Sequence, residues 1–373
     1  GAACPKVMNN MESLHTRLIK VDACFPEDHL LLPAADALRA GRLVAFPTET
    51  VYGLGANALD PAAVAAIYKV KGRPGDNPLI VHIASLADLS ALASSIPPMA
   101  KRLFQVFAPG PLTLVLPKSP AVPDLVTAGL RTVAVRIPSH PVARRLIELA
   151  GVPVAAPSAN RSGRPSPTRS WHVEADLSGR IPFIIDAGES AFGLESTVVD
   201  VTGDLPAILR PGSITARQIS EVTGLSVTGE AESDLSADHA PRAPGMKYRH
   251  YAPRARVLVA EGDDPAQRAA EATRLAAGLR APDLRVSFFG CNQFLRNIPM
   301  TQDADCQIVS YGEAPDAAAA GMTLFDALRR LDLTGAAVIV AEGLPDDGVG
   351  LAYMNRLRKA SGTFRPEGYH HES

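Results

Sequence analysis

Residues 43–55 read Leu-Val-Ala-Phe-Pro-Thr-Glu-Thr-Val-Tyr-Gly-Leu-Gly. Leu43–Phe46 is a short unbroken apolar run, the mark of a strand buried on both faces. It ends at Pro47, and two threonines, a glutamate and a tyrosine follow. In open α/β sheets ligands collect beyond such strand ends. The segment therefore reads as a strand delivering a polar loop to a site.

The same texture repeats outward from it. Upstream, Arg17–Val21 reads as a strand and His29–Ala40 as a helix closed by Gly41. Downstream, Pro61–Lys71 reads as a helix with proline in its first turn. Further strands are expected at Leu79–Ile83, Leu112–Leu116, Thr132–Ile137, Val152–Ala155, Phe183–Asp186, Val198–Val201 and Ala207–Leu209. The pattern is α/β, with a large twisted mixed sheet and flanking helices. After Gly212 the texture changes, and residues 226–254 hold no period of two or 3.6. Order returns with strands at Val257–Ala260, Arg285–Phe289 and Ala337–Ala341. Helices lie between and after them at Pro265–Leu279, Ala314–Leu331 and Leu351–Ala360. This is a second, smaller Rossmann-like α/β domain, although its glycines spell no dinucleotide fingerprint. It shows no polar constellation to match the first, so docking or control of access is its expected role.

The chain has 373 residues, which suits two domains, and a net charge of −2, which advertises neither nucleic acid nor a membrane. A small basic excess in residues 1–213 hints at an anionic ligand there. The four cysteines form no C-x-x-C pair and no zinc spacing, so free thiols in a reducing cytoplasm are expected. No apolar run reaches the length of a membrane span. Residues 1–10 lack the order of a secretory signal and are set aside.

Four more segments carry polar groups at strand or helix ends. Lys69–Leu79 places Lys71 and Arg73 beside glycines that let the backbone approach a ligand, a composition suited to phosphate. A solvated helix C-terminus is the bland alternative. Arg131–Pro138 puts Arg136 on a probable interior strand, where it needs either a ligand anion or a structural salt bridge. Residues 156–166, Ala-Pro-Ser-Ala-Asn-Arg-Ser-Gly-Arg-Pro-Ser, are dense in hydroxyls and amides. Glu195–Asp200 and Ile208–Gly212 add Ser196 and Arg210. The sequence holds no Walker loop, nucleophile elbow or metal-binding histidine pair. Chemistry by positioning and electrostatics on phosphates is the reading that remains.

With PTETVYGLG, KGRPGDNPL, RIP, PSAN, ESTVVD, ILRPG and MKYRHYAP in this order, the sequence resembles the threonylcarbamoyl-AMP synthase family in its two-domain form. The resemblance implies a YrdC-like catalytic domain at 12–213, a linker at 214–255 and a C-terminal domain at 256–361. It implies that L-threonine and bicarbonate or carbon dioxide form a carbamate, which attacks the α-phosphorus of ATP and expels pyrophosphate. A downstream transferase would move the threonylcarbamoyl group to tRNA; direct tRNA contact is left open. Thr50, His82, Arg136, Ala156 (through its backbone) and Ser196 match the threonine side. Lys71, Arg73, Asn77, Thr132, Ser158, Asn160, Ser166, Arg210 and Tyr251 match the ATP side, with Lys71 and Arg73 as the catalytic cations. Mg²⁺ would ride on phosphate oxygens, with no protein side chain as its ligand. The stretch Pro244–Pro253 would fold back over the first domain, with Tyr251 reaching ATP. The rival readings are an RNA-binding module using a basic concave face, and a carbamoyltransferase for metal-centre maturation, whose cysteine-rich zinc modules this chain lacks.

Overall fold

The computed structural model describes residues 14–229, 251–279, 284–303 and 305–362. The first domain is built on ten strands: β1 (Arg17–Lys20), β2 (Val44–Phe46), β3 (Gly53–Asn57), β4 (Ile80–His82), β5 (Leu112–Pro117), β6 (Thr132–Arg136), β7 (Val154–Ala155), β8 (Phe183–Asp186), β9 (Thr197–Asp200) and β10 (Ala207–Arg210). Their spatial order is β1-β8-β2-β3-β7-β4-β6-β5-β9-β10. Parallel pairs such as β4/β6 alternate with antiparallel ones such as β5/β6, so the sheet is mixed, as expected.

Most expected elements form within one or two residues of their sequence bounds. The opening stretch differs. Val44–Phe46 is the strand, but the chain then turns and pairs back, Phe46 against Gly53, as antiparallel β3. Gly-Leu-Gly-Ala-Asn has poor strand propensity, which is why it reads as loop. Here glycine serves packing: a Cβ on Gly55 would meet Phe46 and Val154 within 2.8 Å.

The helix Pro61–Lys71 begins at Asp60, whose carboxylate accepts from the Ala62 and Ala63 amides, and stops at Gly72 in the left-handed region (φ 62°). That stop is what delivers Lys71, and then Arg73, to the sheet. Part of the span expected as linker is also ordered. Ala216–Thr223 is a helix with a Thr215/Gln218 capping box and a left-handed Gly224. Its Ile219 belongs to the first domain's core.

The second domain is a four-stranded parallel sheet, ordered β11-β14-β12-β13, from β11 (Arg256–Ala260), β12 (Val286–Gly290), β13 (Ile308–Ser310) and β14 (Val338–Glu342). The short β13 is an addition to the sequence reading. The helices Ala317–Leu333 and Gly348–Ser361 pack against each other. Val51 and Leu194, from the first domain, sit in the same apolar cluster as this second core. Close approach there needs glycine: a Cβ on Gly193 (φ 72°) would lie 2.4 Å from the Met322 backbone. Among the described residues no helix is long and apolar enough to cross a membrane.

Candidate active site

Strand ends bring the quoted segments together around one open cavity. Parallel pairing sets His82 at the end of β4 beside Arg136 at the end of β6. Arg136 Nη1 donates to Thr50 Oγ1 at 2.8 Å, and its Nε to the Gly110 carbonyl at 3.3 Å. Its Nη2 lies 2.6 Å from Glu49 Oε1. The anion that a buried arginine demands is thus supplied by the chain itself, and the salt-bridge alternative for Arg136 is realised. Burial, the largest single influence, would raise the Glu49 carboxyl, but the Arg136 charge together with hydrogen bonds from Arg136 and the backbone holds Glu49 below the usual range. Burial, and then the Arg136 charge, push His82 down to about 3, so its imidazole is neutral. Thr48 Oγ1 stands 2.9 Å from Thr50 Oγ1 and donates to the Val51 carbonyl at 2.6 Å, which fixes the turn.

The other end of the cavity is cationic. Lys71 is buried, and its Nζ donates to the carbonyls of Ser158 and Asn160. Burial first, and then the Arg73 charge, push its ammonium well below the ordinary value. Arg73 donates to the Pro78 carbonyl at 2.9 Å. Arg210 donates to Ser196 Oγ and to the Ser196 carbonyl, both at 3.1 Å. Burial draws Arg210 down to about 10, which leaves it charged at neutral pH. Ser158 Oγ donates to Asn160 Oδ1 at 2.5 Å, and Ser166 Oγ to Glu195 Oε1 at 2.5 Å.

Twelve of the fourteen residues expected at the site line this cavity: Thr50, Lys71, Arg73, His82, Arg136, Ala156, Ser158, Asn160, Ser166, Ser196, Arg210 and Tyr251. Asn77 and Thr132 do not. Thr132 starts β6, four residues before Arg136, which is about 13 Å at the usual strand rise. Asn77 is buried behind Arg73, whose Nε donates to its carbonyl at 3.3 Å. Pro244–His250 of the expected cover lie outside the described residues. Tyr251 lies within them. It is buried with φ 64°, a conformation that costs a non-glycine residue about 1–2 kcal/mol. Its ring packs on Phe325 at 5.1 Å, and the next amide, Ala252, donates to the Gly163 carbonyl at 2.8 Å.

The second domain, which in sequence shows no polar constellation to rival the first, reaches the site's wall with two arginines. Arg329, on Ala317–Leu333, donates to the Pro165 carbonyl at 2.6 Å and to Asp176 at 2.8 Å. Arg356, on Gly348–Ser361, donates to Glu195 at 3.0 Å. Glu49 and Glu195 were legible as charges inside quoted motifs, but their partners are distant in sequence. Among the described residues no group of three or more His, Cys, Asp or Glu could hold a metal ion.

Fold and site together describe a two-domain α/β protein whose cavity gathers lysine, arginine and hydroxyl groups. Comparison with known proteins sharpens the class. A family model described as "Telomere recombination" matches residues 36–212, and one described as "Threonylcarbamoyl-AMP synthase, C-terminal domain" matches residues 214–362. The chain is 52% identical over 330 residues to the threonylcarbamoyl-AMP synthase of Pyrococcus abyssi, covering 88% of this chain and 93% of that protein. It is 45% identical over 342 residues to the Bacillus subtilis threonylcarbamoyl-AMP synthase, covering 91% and 95%. A crystal structure of P. abyssi Sua5 complexed with L-threonine matches with a TM-score of 0.85 at 49% identity, covering 93% of this chain and 98% of that one. The chain belongs to the threonylcarbamoyl-AMP synthase family.

Proposed function

We propose that this cavity condenses L-threonine, bicarbonate or carbon dioxide, and ATP into threonylcarbamoyl-AMP and pyrophosphate. The observation that carries the reading is the juxtaposition in one cavity of a polar end, Arg136 with Thr50 and neutral His82, where Glu49 balances the arginine from outside the lining, and a cationic end, Lys71, Arg73 and Arg210. An amino acid fits the first. Its carboxylate meets the donors that Arg136 still has after three of its five N–H groups are directed elsewhere. The side-chain hydroxyl and the carbamate fall among Thr50, Ser196, His82 and the Ala156 backbone. A triphosphate fits the second, with Ser158, Asn160 and Ser166 orienting it.

In the reaction a carbamate oxygen forms a bond to the α-phosphorus, and the bond to the pyrophosphate oxygen breaks. Negative charge moves onto the departing pyrophosphate. Lys71 and Arg73 are placed to stabilise it, the kind of electrostatic contribution that dominates phosphoryl and nucleotidyl chemistry. Glu195, the carboxylate that lines the cavity, and Glu49 beside Arg136 are both engaged by arginine, so Mg²⁺ would enter with ATP, held by phosphate oxygens and water. Asn77 and Thr132, which the resemblance also places on the ATP side, would act from behind the lining. The product is an activated mixed anhydride. A downstream transferase would consume it, placing the threonylcarbamoyl group on a tRNA adenosine. An RNA-binding reading would need the cavity face open, and Tyr251 and the second domain close against it.

The test incubates the protein with ATP, bicarbonate and each amino acid in turn, and measures pyrophosphate. Release that depends on threonine is expected. Release that is indifferent to the amino acid overturns the reading.

A further inference from the structure

One fully buried cation lies outside the cavity lining and has no part in the reaction as written. Arg356 belongs to the second domain and is 0% exposed. Its Nε donates to Glu195 Oε2 at 3.0 Å, its Nη2 to the Glu195 carbonyl at 3.3 Å and its Nη1 to the Pro211 carbonyl at 2.6 Å. Glu195 and Pro211 are the chain neighbours of Ser196 and Arg210, both in the cavity wall. One guanidinium therefore fastens two wall segments, and it comes from the other domain.

Glu195 itself is a hub. It accepts from the Ser166 hydroxyl at 2.5 Å, and the Tyr251 hydroxyl is also hydrogen-bonded to it. It lines the cavity as a buried carboxylate. Such a charge poses a problem in a site that must take a polyanion, because like charges repel strongly in low-dielectric surroundings. Burial would raise the carboxyl, but the Arg356 charge first, and then the Arg210 charge, hold Glu195 down to about 2. It is ionised at neutral pH and needs a permanent counter-charge. The other charged groups around it are Arg210, Lys359 and Lys71. Arg210 faces the cavity, whereas Arg356 sits behind Glu195, away from the lining.

We infer that Arg356 is a positioning residue for the nucleotide end of the site, supplied by the second domain. It offsets the Glu195 charge and holds that carboxylate, and through it Ser166 and Tyr251, where a triphosphate can be accepted. Arg329 acts on the same wall from the neighbouring helix, through Pro165 and Asp176. The inference rests on the proposed function in naming the anion as ATP.

The experiment compares wild type, Arg356→Gln and the double variant Glu195→Gln/Arg356→Gln. It reads ATP affinity by calorimetry and the KM values for ATP and threonine by pyrophosphate release. R356Q should weaken ATP binding by about 30-fold or more, the usual scale for stranding one charge of a buried pair, and move the threonine KM by no more than about threefold. The double variant should recover ATP binding to within about fivefold of wild type, because neither charge is left alone. A merely structural arginine predicts no such rescue. The idea fails if R356Q binds ATP within about twofold of wild type, or if the double variant binds no more tightly than R356Q. Should R356Q not fold, Arg356→Lys decides. It keeps the charge and loses the fork, so ATP should weaken by about three- to tenfold with threonine unmoved. Equal losses for both substrates, or none, overturn the inference. Calorimetry also separates this claim from the reaction. If wild type shows no threonine-dependent pyrophosphate release while ATP affinities follow the expected order, the reaction is wrong and the role of Arg356 stands.

Discussion

At each end of the cavity a buried carboxylate is paired with an arginine, and the two pairs are built differently: Arg136 lines the cavity with Glu49 outside the lining, whereas Glu195 lines it with Arg356 outside. Glu49–Arg136, at the end assigned to threonine, lies within the first domain: a β2–β3 turn against the end of β6. Glu195–Arg356, at the end assigned to ATP, joins residues 161 positions apart in two domains. Breaking either pair strands a buried charge. Only the second pair can be broken by anything that displaces the second domain. On the proposed assignment of the two ends, the contrast makes amino-acid selection a local property of one sheet and nucleotide acceptance a property of the assembled chain. That gives the second domain a defined task at the site.

The largest expected effect tests the local end. A site that hydrogen-bonds the threonine hydroxyl leaves polar groups unpaired when valine enters, so valine should be disfavoured by about 10⁴ in kcat/KM. Serine lacks only a methyl and should be about 10–200-fold poorer. Both ratios should be the same in wild type and in Arg329→Met, whose change lies in the second domain. A serine-to-valine ratio that moves with that variant would break the comparison, as would valine turned over as well as serine.

A smaller effect tests the cations. Lys71→Ala and Arg73→Ala should each lower pyrophosphate release by about 10²–10³, the cost of removing one electrostatic donor, with the protein still folded by circular dichroism. Threonine KM should change little, since both residues sit with the nucleotide. A threonine KM that rises with the loss of turnover would merge the two ends into one. Near-normal rates in both variants would remove these cations from the chemistry.

Much of this arrangement is readable from local sequence. Asp60-Pro61 and Gly72 start and stop the helix that carries Lys71, and apolar runs mark the strands whose ends hold His82, Arg136 and Arg210. Besides the short β13, two elements escape for visible physical reasons. β3 is glycine-rich because Phe46 and Val154 fill the space where side chains would stand, so its composition mimics a loop. The helix Ala216–Thr223 is short and flanked by loop-like residues, although Thr215-x-x-Gln218 and Gly224 were a readable signal for it. Arg329 and Arg356 escape for a deeper reason. Each sits on a helix that also carries other basic residues, Arg330 beside one and Arg358 and Lys359 beside the other. Which arginine is buried depends on a domain contact that no local pattern encodes. Glu49 and Glu195 are the converse: visible as charges, unassignable without their partners.

The smallest effect separates the two ends by acidity. His82 has a folded value of about 3, below its ordinary 6.5, because burial and the Arg136 charge keep it neutral. As pH falls below 6.5 the unfolded chain takes a proton that folded His82 refuses, so stability is lost down to about pH 3. The slope is about 1.4 kcal/mol per pH unit for one such group. Glu195 has a folded value of about 2, below its ordinary 4.5. Its contribution is fully present above pH 4.5 and is lost only as pH falls from there toward 2. On acidification the threonine end should therefore weaken first. Urea unfolding of wild type, His82→Gln and Glu195→Gln at pH 6.5 and pH 5 covers a window in which, of His82 and Glu195, it is the histidine whose linkage changes stability. H82Q should escape about 2 kcal/mol of the loss that wild type suffers over that interval. The buried histidines His140 and His172 are depressed as well, but they are common to all three proteins and cancel in the difference. E195Q, whatever its starting stability, should lose as much as wild type over the same interval. If H82Q and wild type lose stability in parallel between pH 6.5 and 5, His82 is not held neutral by its surroundings. The charge balance drawn for the threonine end would then be wrong.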